Sequence, residues 1–164
     1  YSQRLTRTIG EDKFRDYVSG FDYGNKDVSG DHGKRNGLTN AWLSSSLAIS
    51  PHEQVEFIQK LLTHNLAASG AAQDLAVSIV PAFKSGEWVV RGKTGTGFHR
   101  RSDGTLDRGL QKGWFIGWAE HEGRKVVFAT FIADRQPMNS YAGPRARDAF
   151  LENFPHIIKT AGGA

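Results

Sequence analysis

Apolar positions along the chain change period near residue 84. In the first half, Phe14, Tyr17, Val18 and Phe21 recur at spacings of three, four and seven, which predicts a helix over residues 10–21 with one apolar face. A polar, glycine-rich stretch from Asp22 to Asn40 follows and reads as a long irregular loop, a kind of segment that is commonly functional or disordered. "SPHE" then marks a helix start: Ser50 suits the N-cap, Pro51 the first helical position, and Glu53 completes a capping box. Val55, Ile58, Leu61 and Leu62 supply that helix with a buried face, and a further helix is expected over about 71–83, carrying Leu75, Ile79 and Val80. Beyond it the pattern turns strand-like in "EWVVRGKTG", "KGWFIGWAE" and "RKVVFATFIAD", with "HEG" as a tight turn between the last two. Three successive strands predict an antiparallel meander. Residues 143–154 return to helix, with Pro144 near the start and Phe150, Leu151 and Phe154 on one side. The expected class is α+β, an antiparallel sheet packed with helices: a helical part over about 1–83, then sheet and closing helix over about 84–164 of one domain.

Composition narrows the function. At 164 residues the chain is one domain's worth. No apolar run approaches the roughly 20 residues needed to span a bilayer, and "YSQRLTRTIGEDKF" has no signal-peptide pattern. The absence of cysteine excludes disulfides, thiolate metal sites and a cysteine nucleophile. The six histidines lack H-E-x-x-H spacing, so no metal is expected. The net charge of +4 is mild, but Arg91, Lys93, His99, Arg100, Arg101, Arg108 and Lys112 cluster around one loop. Such a loop suits either nucleic acid or a solvated surface beside an anion-binding site, and without a reader fold the second is favoured.

"RGKTGTG", residues 91–97, superficially resembles a phosphate-binding loop. The G-x-x-x-x-G-K-[ST] pattern needs its first glycine at position 87, which is Glu87, and the glycines after Thr94 cannot start a helix. The preceding Trp88, Val89 and Val90 instead favour a strand that continues through Lys93, Thr94 and Gly95. Alternation then puts Lys93 and Gly95 on one face and Thr94 on the other. A glycine inside a strand often marks the close approach of a ligand or another backbone.

In order along the chain stand "YGN" (residues 23–25), "NAWLSSSLAISPHEQVEFIQKLL" (40–62), "GKTGTG" (92–97), "GWFIGWAE" (113–120) and "GPR" (143–145). This ordered set resembles the class D, oxacillinase-type serine β-lactamases across essentially the whole chain. The resemblance implies the C-terminal part of the serine β-lactamase and penicillin-binding-protein-like fold, and a periplasmic or secreted hydrolase that confers antibiotic resistance. It also implies roles. Lys93 is the cation of the active-site strand and aids proton transfer. Thr94 and Gly95 help to bind the substrate, and Arg145 pairs with its carboxylate, a task for which a planar fork suits better than an ammonium. The backbone N–H of Thr96 is half of the oxyanion hole. Trp42 packs against a carboxylated lysine, and Tyr23 and Asn25 border the site.

A serine acylating enzyme needs S-x-x-K, and none occurs in these 164 residues; the family's S-x-V has only a stray match at Ser78, Ile79 and Val80. The resemblance implies that the chain starts just after S-x-V, so nucleophile, carboxylated lysine and the first strands of the sheet lie outside it. The expected partners are a β-lactam antibiotic and an N-terminal fragment carrying S-x-x-K, supplied as another chain, with neither nucleic acid nor membrane. Alone, the chain is expected to be inactive and to expose a hydrophobic sheet edge. No cofactor is expected in this chain. The alternative readings are the β-lactam sensor domain of a membrane receptor, which is acylated but hardly deacylates, and a basic-loop nucleic-acid-binding module whose affinity falls steeply with salt.

Overall fold

The computed structural model describes residues 1–161, which fall into two compact units, one over Tyr1–Leu75 and one that starts at Ala76. The first unit contains α1 (Ser2–Ile9), α2 (Glu11–Gly20), α3 (Gly37–Asn40) and α4 (Pro51–Leu62), and α5 (Gly70–Ser78) crosses the boundary. The capping box at Ser50 is present: Ser50 Oγ accepts from the Glu53 N–H at 3.3 Å, and Glu53 Oε2 accepts from the Ser50 N–H at 2.7 Å. Ile58 and Leu61 are buried as the periodicity requires. Val18, Val28 and Ala41 form a small core, padded by Phe14, Tyr23, Trp42 and Leu47.

The stretch from 22 to 40 is irregular as expected until α3, and its polar side chains hold it in place. Asp31 accepts from the amides of Asn36 and Asn40, at 2.9 and 3.3 Å, and from Ser45 Oγ at 2.8 Å. Short polar side chains thus do locally what an apolar core cannot do across so hydrophilic a segment.

The helix expected over 71–83 ends at Ser78, and Ala82–Ser85 is a strand. Leu75 and Ile79, the apolar residues the helix was expected to carry, are 64% and 75% exposed. The buried residue is Gln73, whose amide donates to the carbonyls of Leu66 and Ala68 and accepts from the Leu66 N–H. A satisfied polar group, rather than an apolar stripe, marks the buried side of this helix.

The second unit is an antiparallel meander, β1 (Ala82–Ser85), β2 (Trp88–Arg100), β3 (Leu106–His121) and β4 (Arg124–Ala133), in spatial order β1-β2-β3-β4, followed by α6 (Ala142–Ala161). Alternate residues of the strands, Trp88 and Val90, Phe115 and Ala119, and Phe128, face Ala146, Phe150 and Phe154 of α6. Phe150 stacks on Phe128 at 3.9 Å between ring centroids, with Phe115 and Phe154 at 5.6 and 5.1 Å. Burying these rings is the main source of cohesion between helix and sheet. At the other side of the meander β4 has no neighbour beyond β3 among the described residues, and Phe131 is 41% exposed.

Candidate active site

β1 covers β2 only over Trp88–Arg91. From Gly92 onward, the side of β2 turned away from β3 is paired with no strand among the described residues. Gly92 fixes the polarity of that edge, because its N–H leaves the sheet on this side to reach the Pro81 carbonyl at 3.1 Å. Backbone groups alternate sides along a strand, and the register with β3 runs unbroken from Gly92↔Gly117 through Thr94↔Phe115 and Thr96↔Gly113, shifting only between Phe98 and His99. The N–H groups of Thr94 and Thr96 therefore point outward along the same edge as that of Gly92.

The side chains alternate between faces as the sequence predicts. Lys93 lies on the face opposite α6, is exposed, and turns its Nζ back to the Thr94 carbonyl at 2.9 Å. Thr96 lies on the α6 face, where its Oγ1 accepts from the Gly143 N–H at 2.9 Å. The first turn of α6 is seated on the strand so closely that a Cβ at Gly143 would stand 2.8 Å from both the Gly95 carbonyl oxygen and Thr96 Oγ1. Glycine is required there by the approach of two backbones.

Arg145 follows two residues later and is 24% exposed. Its Nη2 donates to both carboxylate oxygens of Asp134, at 2.9 and 2.7 Å, and its Nε to the Ser140 carbonyl at 3.3 Å. The hydrogen bond from Arg145, aided by its charge and against the cost of burial, holds the Asp134 carboxyl below the usual carboxylate range, and His99 adds a smaller push in the same direction. Buried Gln111 ties the same region together: its Oε1 accepts from the Ala142 N–H at 3.0 Å, its amide donates to Ser140 O at 3.4 Å, and its carbonyl accepts from the Asp134 N–H at 2.9 Å. Nearby His99 has a buried Nε2 with no hydrogen-bond partner among the described residues. The structure thus places Thr96 and Arg145 at the same end of α6, joined through Gly143. No hydrogen bond or ion pair links Lys93 to Arg145 among the described residues.

Sequence reasoning missed Asp134, Gln111 and Gly143. The first two become neighbours of Arg145 only through the β3–β4–α6 path and carry no local motif. Gly143 was visible as the first residue of "GPR", and its closeness to Thr96 was not.

Within the first unit, Tyr23, Asn25 and Trp42 are engaged in packing and loop closure. Asn25 donates to the Ser46 carbonyl at 2.8 Å and accepts from the Ala48 N–H at 3.0 Å, while its own N–H bonds Ala48 O at 2.9 Å. Gly24 between them has φ +54°, and a Cβ there would fall 2.1 Å from the Ala48 carbonyl oxygen, so "YGN" is a clip that only glycine can close. Tyr23 Oη accepts from Gln54 Nε2 at 2.6 Å; burial raises its pKa, with the Gln54 bond opposing in part. Trp42 meets the ring of Phe14 edge-on at 5.8 Å.

The basic cluster is distributed along β2, β3 and their connection and is partly spent on internal contacts. Arg101 pairs with Asp107 at 3.1 Å, Arg108 lies over the Phe98 ring at 5.8 Å, and Arg91 donates to the Val80 carbonyl at 3.3 Å.

Residues 1–155 match the family of penicillin binding protein transpeptidase domains. The chain is 45% identical over 159 residues to β-lactamase OXA-9 of Klebsiella pneumoniae, a match covering 96% of this chain and 58% of that protein. The crystal structure of the class D β-lactamase OXA-427 superposes with a TM-score of 0.86 at 43% identity, covering 98% of this chain and 66% of that one. The C-terminal domain of the Bacillus licheniformis BlaR penicillin-receptor superposes with a TM-score of 0.76 at 30% identity, covering 98% and 56%. The chain therefore spans less than two thirds of the length of these relatives. The antiparallel sheet packed by α6, with its K-T-G strand, is that of the penicillin-binding-protein and β-lactamase fold. The chain belongs to the penicillin-binding-protein transpeptidase family and is similar, within it, to the C-terminal portion of class D serine β-lactamases.

Proposed function

We propose that this chain supplies the acyl-binding strand and the carboxylate-binding end of a serine β-lactamase that hydrolyses β-lactam antibiotics through an acyl-enzyme. The observation that carries this reading is the uncovered edge of β2, along which the N–H of Thr96 points away from the sheet. A donor fixed in that direction before substrate arrives can stabilise the oxyanion of a tetrahedral intermediate with no reorganisation, an effect typically worth 10²–10³ in kcat per donor. Thr94 and Gly95 line the same strand, and Lys93 places a positive charge beside it. Arg145 takes the substrate carboxylate, with its aim set by α6.

The nucleophile and the base belong to an S-x-x-K segment that this chain does not contain. In the full reaction the serine attacks the lactam carbonyl, the ring nitrogen leaves with a proton, and water then releases the acyl group. We place the carboxylated lysine that serves as base in that segment, with Trp42 packed against it, and we place the protein in the periplasm or outside the cell. No helix among the described residues is long and apolar enough to cross a membrane. The test is a chromogenic cephalosporin assay of this chain with and without a polypeptide carrying S-x-x-K. Hydrolysis is expected from the mixture alone, and equal activity in both samples refutes the assignment.

The likeness to the BlaR penicillin-receptor domain favours a second reading, β-lactam sensing, in which the same site is acylated and held. The lifetime of the acyl adduct, followed by intact-protein mass spectrometry, separates the two: rapid loss marks the hydrolase, persistence the sensor.

A further inference from the structure

The guanidinium of Arg145 already holds a carboxylate. Its Nη2 donates to both oxygens of Asp134 and its Nε to the Ser140 carbonyl, which leaves Nη1 with no acceptor among the described residues. Asp134 is 5% exposed against 24% for Arg145, so the acid lies on the inner side of the pair and the arginine on the solvent side. The acid is itself anchored, because the Asp134 N–H donates to the Gln111 carbonyl while Gln111 Oε1 caps the Ala142 N–H at the start of α6. The pair is fixed from the sheet and from the helix at once.

We propose that Asp134 is a positioning residue that sets how strongly Arg145 attracts a ligand carboxylate. It aims the Nη1 edge outward and cancels the net charge behind it. A guanidinium carries five N–H donors in a planar fork; here Nε–H and one Nη2–H, shared between the two Asp134 oxygens, are engaged, and both N–H groups of Nη1 are left over. An incoming acid then meets two oriented N–H groups on a neutral pair, and recognition depends on geometry more than on unopposed charge. This inference rests on the reading of Arg145 as the carboxylate-binding group.

The test uses a protein carrying this chain together with its S-x-x-K segment, and compares KM for benzylpenicillin with KM for its methyl ester. Asp134→Asn keeps the shape and one carbonyl acceptor for Nη2 while removing the charge. The ratio of ester KM to acid KM is expected to rise roughly 3- to 10-fold, as suits removal of one charge near a ligand at a solvated surface, and the acid KM should become more sensitive to salt. Both ligands are measured on the same sample, so a misfolded fraction cancels in the ratio. Arg145→Ala should bring the ratio down towards one. If Arg145→Ala leaves the ratio unchanged, the carboxylate assignment fails and this inference falls with it. If Arg145→Ala collapses the ratio and Asp134→Asn does not raise it, the inference alone is overturned.

Discussion

Replacing Gly143 by alanine tests whether the seat of α6 on β2 controls the site. The added Cβ would lie 2.8 Å from Gly95 O and from Thr96 Oγ1 and 3.0 Å from the Gly95 carbonyl carbon. Two of the three atoms are backbone, so no side-chain rotation relieves the clash. Reaching an ordinary contact of about 3.4 Å requires helix and strand to separate by roughly half an ångström, and inserting a methylene into a packed interface costs about 1–3 kcal/mol. Alanine's better helix propensity returns at most about 1 kcal/mol in a helix interior, and less in a first turn. The clash wins. The same movement lengthens the 2.9 Å bond from the Gly143 N–H to Thr96 Oγ1 and tilts the Thr96 backbone. Thermal denaturation followed by the fluorescence of Trp88, Trp114 and Trp118 should show a Tm lower by about 2–12 °C for a chain of this size. In a protein carrying this chain with its S-x-x-K segment, kcat for a chromogenic cephalosporin should fall about 10- to 100-fold, since a misplacement of about 1 Å can cost that much. A Gly143→Ala variant with the parent's Tm and kcat would refute the link between helix seat and oxyanion strand.

Phe150→Ala removes the ring stacked on Phe128 at 3.9 Å and touching Phe115 and Phe154, and should cost about 3–5 kcal/mol in denaturant unfolding of the second unit. Gly24→Ala forces a non-glycine residue to φ +54° with its Cβ 2.1 Å from Ala48 O, so the first unit should lose about 2 kcal/mol or more, read from the Trp42 signal in a variant lacking the other tryptophans. Asp134 is more acidic folded than unfolded, so as pH falls the unfolded chain takes up its proton first. Its contribution to stability, complete above an unfolded pKa near 3.9, should fade below about pH 4 until the folded carboxyl is protonated as well. Melts of Asp134→Asn and the parent should therefore differ at pH 6, and the difference should shrink as the pH falls below about 4.

What could be read from the sequence follows from the range of each signal. The Ser50 capping box is a contact between residues three apart, and it stands in the structure as expected. The three strands were visible because apolar alternation lies within each strand and the His121–Gly123 turn within the β3–β4 hairpin. α1 was not visible: its buried residue is Thr6, which donates to the Leu38 carbonyl, while Leu5 is 52% exposed, so hydrophobic spacing gives no helical face. The short strand β1 was absorbed into the expected helix because Leu75, Ile79 and Val80 share a helical spacing that solvent-exposed Leu75 and Ile79 do not use. At the site the same rule holds. "GKTGTG" reads as a strand locally, and the outward edge appears only when β1 is known to stop at Arg91. Arg145 could be singled out by resemblance, but its bond to Asp134 joins a strand end to a helix start eleven positions apart.

The most direct measurement is a crystal structure of the acylated protein, with this chain and its S-x-x-K segment bound to benzylpenicillin. The account places the acyl carbonyl oxygen about 2.7–3.1 Å from the Thr96 backbone nitrogen, with the ligand carboxylate on Nη1 of Arg145. An acyl group whose carbonyl oxygen lies away from the outer edge of β2, with the Thr96 N–H turned to another acceptor, would contradict it.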